Sequence, residues 1–184
     1  MFRPICVLIG FALSCVPLPS LPSQEGSPPA GRMALYLKYR PLLLEAALTA
    51  AACALTRLLF RGGGELTALW AGLGVLLGRL SPLRKDPRPE DGTAAVWTCE
   101  IFFSPVWGVL CCAAGAGAAF LTGYELLAAL LPAALFAFPA DLFSGAEAGV
   151  VTLVLAGLLS YHRRADLGVM IEGEDNEDST DDSV

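Results

Sequence analysis

The sequence predicts an all-α protein, a polytopic integral membrane bundle of about six to seven helices. Of its 184 residues, 55% are hydrophobic and only 16% are charged, and the charges fall in a few short islands. Between these islands run apolar segments of roughly 15 to 27 residues, and a helix needs about 20 apolar residues to cross a bilayer. Helices satisfy their own backbone hydrogen bonds inside a membrane, so we expect these segments to be helical.

The amino-terminal residues 1–22 are predicted to form either a first membrane helix or a signal-like segment. They begin with one arginine, continue as a short apolar core and end at prolines, a pattern that suits both interpretations. No convincing small-x-small cleavage site follows, which favours a retained helix. Residues 23–40 are predicted to form a polar loop that ends in basic residues.

Five further apolar segments follow within a predicted membrane domain at 23–171. The predicted helices cover residues 41–60, 65–80, 94–121, 125–140 and 146–161. The first opens with a proline, which is favoured at a helix start, and "RGGG" then makes a turn. The third is rich in small residues, which let helices approach closely, and "PADLFSG" separates the last two.

The basic residues cluster at 32–40, 84–88 and 163–164, and the positive-inside tendency would put all three islands on the cytoplasmic face. Six crossings do not place them all on one side. Either one span is re-entrant or one long span is split, and the sequence leaves both alternatives open. We expect the lipid bilayer, and not nucleic acid, to be the large partner of this surface.

The last residues, 172–184, are predicted to be a disordered acidic tail. This stretch, "EGEDNEDSTDDSV", holds seven carboxylates and no base, a composition typical of solvated chain. The rest of the chain has 11 acidic and 12 basic residues, so the tail accounts for the net charge of −6.

The six cysteines all fall in apolar runs and show no CxxC spacing, and the chain has one histidine. We therefore expect no metal site and no disulfide framework, but small buried side chains. Two charged residues, Arg57 and Glu100, also lie inside apolar runs, where a charge is costly and usually faces protein or water. They either pair with each other or face a cavity.

Several motifs follow one another in a fixed order from about residue 67. The loop "GRLSPLRKDPRPEDGTAAV" at 78–96 lines up without a gap with the pattern G-H-x-F-P, six residues, then G-G-K-G-x-A-T. Ser104–Pro105, "LTGYELLAAL" at 121–130 and "LLSYHRRADLGVMIEGED" at 158–175 come next. Together they resemble the bacterial membrane family of acyl-phosphate:glycerol-3-phosphate acyltransferases, and the resemblance implies that residues 23–171 form an acyltransferase-like membrane domain.

The resemblance implies transfer of an acyl group from acyl phosphate to the 1-hydroxyl of glycerol 3-phosphate, which gives lysophosphatidate for phospholipid synthesis. Acyl phosphate and glycerol 3-phosphate would be the partners, and neither a metal ion nor another cofactor would be needed. The protein would lie in the bacterial plasma (inner) membrane, with its site on the cytoplasmic face. Such a site must hold two phosphate-bearing ligands with backbone N–H groups and fixed cations.

The resemblance also implies the site residues. Ser27 and His162 would be catalytic, by binding or deprotonating the glycerol hydroxyl and by hydrogen bonding to the hydroxyl or a phosphate. The substrate phosphates would be bound by Lys38, Arg84, Lys85, Arg88, Gly92 and Thr93. Two alternatives remain open: the basic trio Arg84, Lys85 and Arg88 is a topology or headgroup signal, and Gly92 with Thr93 is an ordinary helix cap.

The loop departs from the family pattern at points that matter for charge. Pro89–Glu90–Asp91 stands where the family has G-G-K, and Arg79 replaces the loop histidine. At about 4 Å and an effective dielectric of about 20, exchanging attraction for repulsion changes the interaction energy by several kcal/mol. Glu45 matches an acidic residue of the next family helix only across a deletion. The alternative function is therefore an inactive paralogue that binds lipid or another protein.

Overall fold

The computed structural model describes residues 2–15, 32–81 and 92–164, except for the side chains of residues 32–39 and 125. The helices are α1 Phe2–Ser14, α2 Arg32–Leu59, α3 Leu66–Leu80, α4 Thr93–Phe103, α5 Pro105–Thr122, α6 Glu125–Ser144 and α7 Ala146–His162. A 3-10 turn at Arg61–Gly63 joins α2 to α3, at the predicted "RGGG" turn. These described ranges contain no strand, which confirms the all-α prediction and the expected number of helices. The predicted acidic tail lies outside them.

Three helices are long and apolar enough to cross a membrane: Arg40–Leu59, Pro105–Thr122 and Leu126–Ser144. The other helices are apolar but shorter. Large apolar side chains point outward, among them Leu58, Val106, Phe120, Leu121, Phe138 and Val150. An exposed apolar surface of this extent is typical of a membrane-embedded protein. The structure thus supports the predicted membrane class.

Helix α2 begins earlier than predicted. Residues 32–40 continue the helix instead of forming a loop, and Pro41 lies inside it and not at its start. The first residues of the helix include methionine, alanine and leucine, which all have high helix propensity. An interior proline removes one backbone hydrogen bond, and membrane helices tolerate this where the neighbouring structure compensates.

The predicted long helix 94–121 is two helices. Ser104 has an extended backbone, with φ −142° and ψ 102°, and α5 starts at Pro105. The proline ring disfavours helical geometry at the preceding residue, which explains the break. The predicted span 94–121 is thus split, while the side of the membrane on which the basic islands lie stays a prediction. Helix α4 has only 11 residues.

Helix α6 is longer than predicted, because it continues through Pro139 to Ser144 and meets α7 at Gly145. The segment "PADLFSG" therefore does not separate two helices over its whole length. Pro132 and Pro139 both lie inside α6. The apolar composition of α6 favours a continuous helix despite these two prolines, as the composition of α2 does at Pro41.

The chain divides into two compact units, Met1–Pro105 and Val106–Val184. In the first unit α3 is the central helix and packs against α1, α2 and α4. Helix α2 turns a stripe toward α3 that contains the buried residues Glu45, Thr49, Cys53 and Thr56. The Cys53 thiol donates to the Ala68 carbonyl of α3 at 3.6 Å. The two threonines donate to their own helix backbone, which lets a hydroxyl lie in an apolar interior.

Helices α1 and α3 approach each other closely through small residues. A Cβ at Gly10 would collide with the Ala71 carbonyl and lie 2.9 Å from the Val75 nitrogen, and one at Gly74 would collide with the Val7 carbonyl. Close backbone contact of this kind is how helices associate in membranes. The structure packs α1 against α3, and retention of residues 1–22 remains a prediction.

The second unit contains α5, α6 and α7. Helix α6 packs along α7, where Gly149 lies close to Asp141. Helix α5 meets α6 at Gly115 and Pro132, and the rings of Trp107 and Phe143 stack at 5.8 Å. All six cysteines lie within the described residues as reduced thiols, and five of them are buried. Cys15 is exposed, contrary to prediction, because it follows the end of α1.

We predict that Gly10→Ala destabilises the protein by about 1–3 kcal/mol, because the new methyl group meets fixed backbone atoms of α3. The midpoint of thermal unfolding in detergent micelles should fall. Gly157→Ala is the matched control, because nothing lies within 4 Å of a Cβ at that position. Equal midpoints for the two variants would contradict the close contact between α1 and α3.

Candidate functional site

Buried polar residues gather where α3 ends and α4 begins, on either side of the loop 82–91. Arg79 lies in the last turn of α3, Gly92 precedes α4, and Thr93 is its first residue. Glu45 reaches them from the neighbouring helix α2. All four residues are buried, with Arg79 only 1% and Glu45 only 3% exposed. We call Glu45, Arg79, Gly92 and Thr93 the loop-end cluster.

The Glu45 carboxylate connects the three helices of the loop-end cluster. The Gly92 N–H donates to Glu45 Oε1 at 2.7 Å, and Arg79 Nε lies 4.0 Å from the same oxygen. A hydrogen bond to an ionised acceptor is shorter and stronger than a neutral one. At this separation the Coulomb attraction between the two side chains is on the order of 4 kcal/mol, and their desolvation offsets part of it.

Gly92 gives the start of α4 its geometry. Its φ of 100° is in the left-handed region, which residues with a side chain rarely adopt. This conformation leads the chain into α4 and turns the Gly92 N–H toward Glu45. The first N–H groups of a helix have no partner within the helix and carry partial positive charge. The carboxylate therefore lies next to the positive end of α4.

Only part of the predicted site is described. Gly92 and Thr93 are brought together with Glu45 and Arg79. Ser27, Arg84, Lys85 and Arg88 lie outside the described residues, and so does the side chain of Lys38, which is a residue of α2. Gly92 does precede a helix, as expected, but its N–H is bonded to Glu45.

His162 is the last residue of α7 and belongs to the second unit. Its side chain is half-buried, and its Nε2 has no hydrogen-bond partner among the described residues. Arg164, two residues on, lies over the Tyr161 ring at 4.9 Å, within range of a cation–π contact. Among the residues that the structure describes, no group of three or more histidine, cysteine or acidic side chains could hold a metal ion.

The sequence analysis did not assign Glu45 and Arg79 to the site, although the cost of a charge in an apolar run applies to both. The same cost singled out Arg57 and Glu100, which were predicted either to pair with each other or to face a cavity. The pair is wrong: Arg57 is exposed and Glu100 is fully buried. Neither oxygen of Glu100 has a hydrogen-bond partner within the described part of the chain. One charged residue, Glu45, lies near the start of the apolar segment 41–60, and another, Arg79, lies in the last turn of the next apolar segment. These two positions were the signal that could have identified both site residues.

The chain matches a known protein family. A family model described as glycerol-3-phosphate acyltransferase matches residues 38–173, well over half of the chain. The chain belongs to the glycerol-3-phosphate acyltransferase family. The matched range contains the whole loop-end cluster, the loop 82–91 and His162, whereas α1 and Ser27 precede it.

A curated member of the family gives the scale of the divergence. The glycerol-3-phosphate acyltransferase of Mesorhizobium japonicum is 27% identical over 115 residues, which cover 58% of this chain and 55% of that protein. The aligned part of the chain thus spans about half the length of this relative. No solved structure matches the chain.

We predict that Gly92→Ala costs about 1–2 kcal/mol of stability, because a side chain at this left-handed position is strained. The expected result is a lower thermal unfolding midpoint in detergent. Gly117→Ala in α5 serves as the control, since a Cβ there meets nothing within 4 Å and alanine favours a helix. The geometry at Gly92 would be wrong if its variant unfolded no earlier than this control.

Proposed function

We propose that this protein is an integral membrane enzyme of phospholipid biosynthesis that transfers an acyl group to glycerol 3-phosphate. The family match over residues 38–173 is the observation that carries the proposal, because it includes both ends of the loop 82–91 and three apolar helices of membrane-spanning length. Acyl phosphate would be the donor and lysophosphatidate the product. The site would face the cytoplasm from a bacterial plasma (inner) membrane, where a water-soluble phosphate ester meets the lipid surface.

The proposed reaction needs little covalent chemistry from the protein. The 1-hydroxyl oxygen of glycerol 3-phosphate attacks the carbonyl carbon of acyl phosphate, the bond from that carbon to the phosphate oxygen breaks, and inorganic phosphate leaves. The hydroxyl proton goes to a nearby base or to the departing phosphate. Ser27 and His162 would hydrogen bond to the hydroxyl or to a phosphate. The main contribution of the protein would be to orient both substrates.

Cations near the loop would hold the phosphate groups. The loop lacks the family lysine, because Asp91 stands at that position. Arg79 is a replacement of the same sign at the opposite end of the loop, and its distance of 4.0 Å from Glu45, which also binds Gly92, supports placing it in the site. Lys38, Arg84, Lys85 and Arg88 would add positive charge, and Gly92 and Thr93 would contribute the positive end of α4.

Direct assay of the purified protein in lipid vesicles tests this function. With acyl phosphate and labelled glycerol 3-phosphate, we expect labelled lysophosphatidate to form in proportion to the protein added. Empty vesicles give the background, and acyl-CoA in place of acyl phosphate tests the choice of donor. Product no higher than the background would refute the enzymatic function and favour an inactive paralogue that binds lipid or another protein.

Arg88→Ala should raise the KM for glycerol 3-phosphate by about tenfold or more with a smaller change in kcat, because a charge-assisted hydrogen bond to a phosphate is worth about 1.5–3 kcal/mol. Initial rates over a range of glycerol 3-phosphate concentrations give both constants. Arg57→Ala, a change of the same charge at an exposed position of α2, is the control and should leave KM unchanged. An unchanged KM for Arg88→Ala would remove this residue from the site.

A further inference from the structure

We propose that Glu45 is a positioning residue of this acyltransferase, which holds Arg79 and the start of α4 together at the two ends of the loop 82–91. The inference rests on the proposed function and goes beyond the sequence pattern, because Glu45 belongs to none of the motifs that define the loop. Three observations support it: the contacts of one carboxylate oxygen of Glu45, the charges of the groups around that oxygen, and the fact that the loop joins α3 to α4.

The geometry brings two groups to a single atom. Glu45 Oε1 accepts the Gly92 N–H at 2.7 Å and lies 4.0 Å from Arg79 Nε. Glu45 is on α2, Arg79 on α3 and Gly92 at the start of α4, so one side chain connects three helices. The burial of Glu45 and Arg79 means that little solvent screens them from each other.

The signs of the charges explain why a carboxylate is needed. The guanidinium of Arg79 is a full positive charge, and the start of α4 carries partial positive charge from its free N–H groups. These two groups repel each other. A negative charge between them turns that repulsion into two attractions, and removing it leaves Arg79 buried beside a group of like sign.

The connection to the loop explains why this position matters for substrate. The chain enters the loop directly after Ser81, two residues beyond Arg79, and leaves it at Gly92. Arg84, Lys85 and Arg88, the cations proposed to hold phosphate, lie between these ends. Glu45 contacts the residues on both sides of this loop, so it would act on the substrate through Arg79 and the start of α4, without touching the reacting atoms.

The opposite role would make Glu45 a competitor. A carboxylate beside a cation and a helix start resembles a bound phosphate in charge, and removing it would then free the site for substrate. The two roles predict opposite changes in KM. A positioning residue lowers the KM for glycerol 3-phosphate, so its loss raises KM, whereas the loss of a competitor lowers it.

Glu45→Gln is the first variant, since the amide oxygen still accepts the Gly92 N–H while the negative charge is lost. In the reconstituted full-length protein we expect the KM for glycerol 3-phosphate to rise about tenfold, with kcat changed by less than about threefold. Glu65→Gln makes the same change at an exposed glutamate before α3 and should leave both constants at their wild-type values.

A double-mutant cycle with Arg79→Gln separates positioning from a general loss of structure. If Glu45 acts through Arg79, adding Glu45→Gln to the Arg79→Gln protein should change KM by less than about twofold. If the two effects on KM multiply, Glu45 does not act through Arg79 and the proposal is overturned. Glu45→Asp is the substitute if Glu45→Gln does not fold: it keeps the charge but is one methylene too short for Gly92, and it should raise KM by about threefold or more.

The remaining outcomes are distinct. An active wild-type protein whose KM is unchanged or lowered by Glu45→Gln overturns the positioning role and leaves the proposed function intact. A fall in kcat alone, with KM unchanged, assigns Glu45 to general stability and also overturns it. A wild-type protein that makes no lysophosphatidate overturns the proposed function itself, which the Glu45 variants do not test.

Discussion

One carboxylate oxygen holds together the parts of the first unit that surround the loop. Glu45 Oε1 accepts a backbone hydrogen bond from Gly92 and lies 4.0 Å from the guanidinium of Arg79. Isolated, each of these charged groups would be expensive to bury in an apolar bundle. Placed together with the positive end of α4, they compensate one another, and α2, α3 and α4 pack around them.

Two departures from the family loop pattern change the charge next to the loop-end cluster. Asp91 removes a cation from one end of the loop, and Arg79 adds one at the other. In the sequence these are two separate departures from the pattern. In the structure Arg79 and Gly92 share one partner, the Glu45 carboxylate. In the sequence pattern alone, both changes count as the loss of a family residue.

Most of the fold was predictable, because long apolar segments in a chain with few charges leave few alternatives to membrane helices. The errors came from prolines. Pro41 was predicted to start a helix and lies inside one, and the segment that begins at Pro139 was predicted to separate two helices although α6 continues to Ser144. Pro105 was predicted to lie inside a helix and begins one. Whether a proline breaks a helix depends on the neighbouring elements, which single-chain patterns do not contain.

The site was predictable only in part, for a different reason. Gly92 and Thr93 follow from the loop pattern, but Glu45 is 47 residues away from Gly92 in the chain and depends on how α2 packs. No local spacing encodes that contact. The fully buried Glu100 shows the same limit, since the cost of its burial was foreseen but the sequence did not decide between a pair with Arg57 and a cavity.

The close packing of α1 against α3 has a consequence for how the protein should be produced. Helix α1 precedes the range that the family model matches, yet Gly10 lies directly against the backbone of the central helix. A gene cloned from the internal methionine codon at Met33 would encode every family motif from the loop onward and omit this helix. Its product would expose the small residues of α3 that α1 covers and would also lack Ser27, so an inactive preparation of that length would not test the proposed chemistry of the full chain.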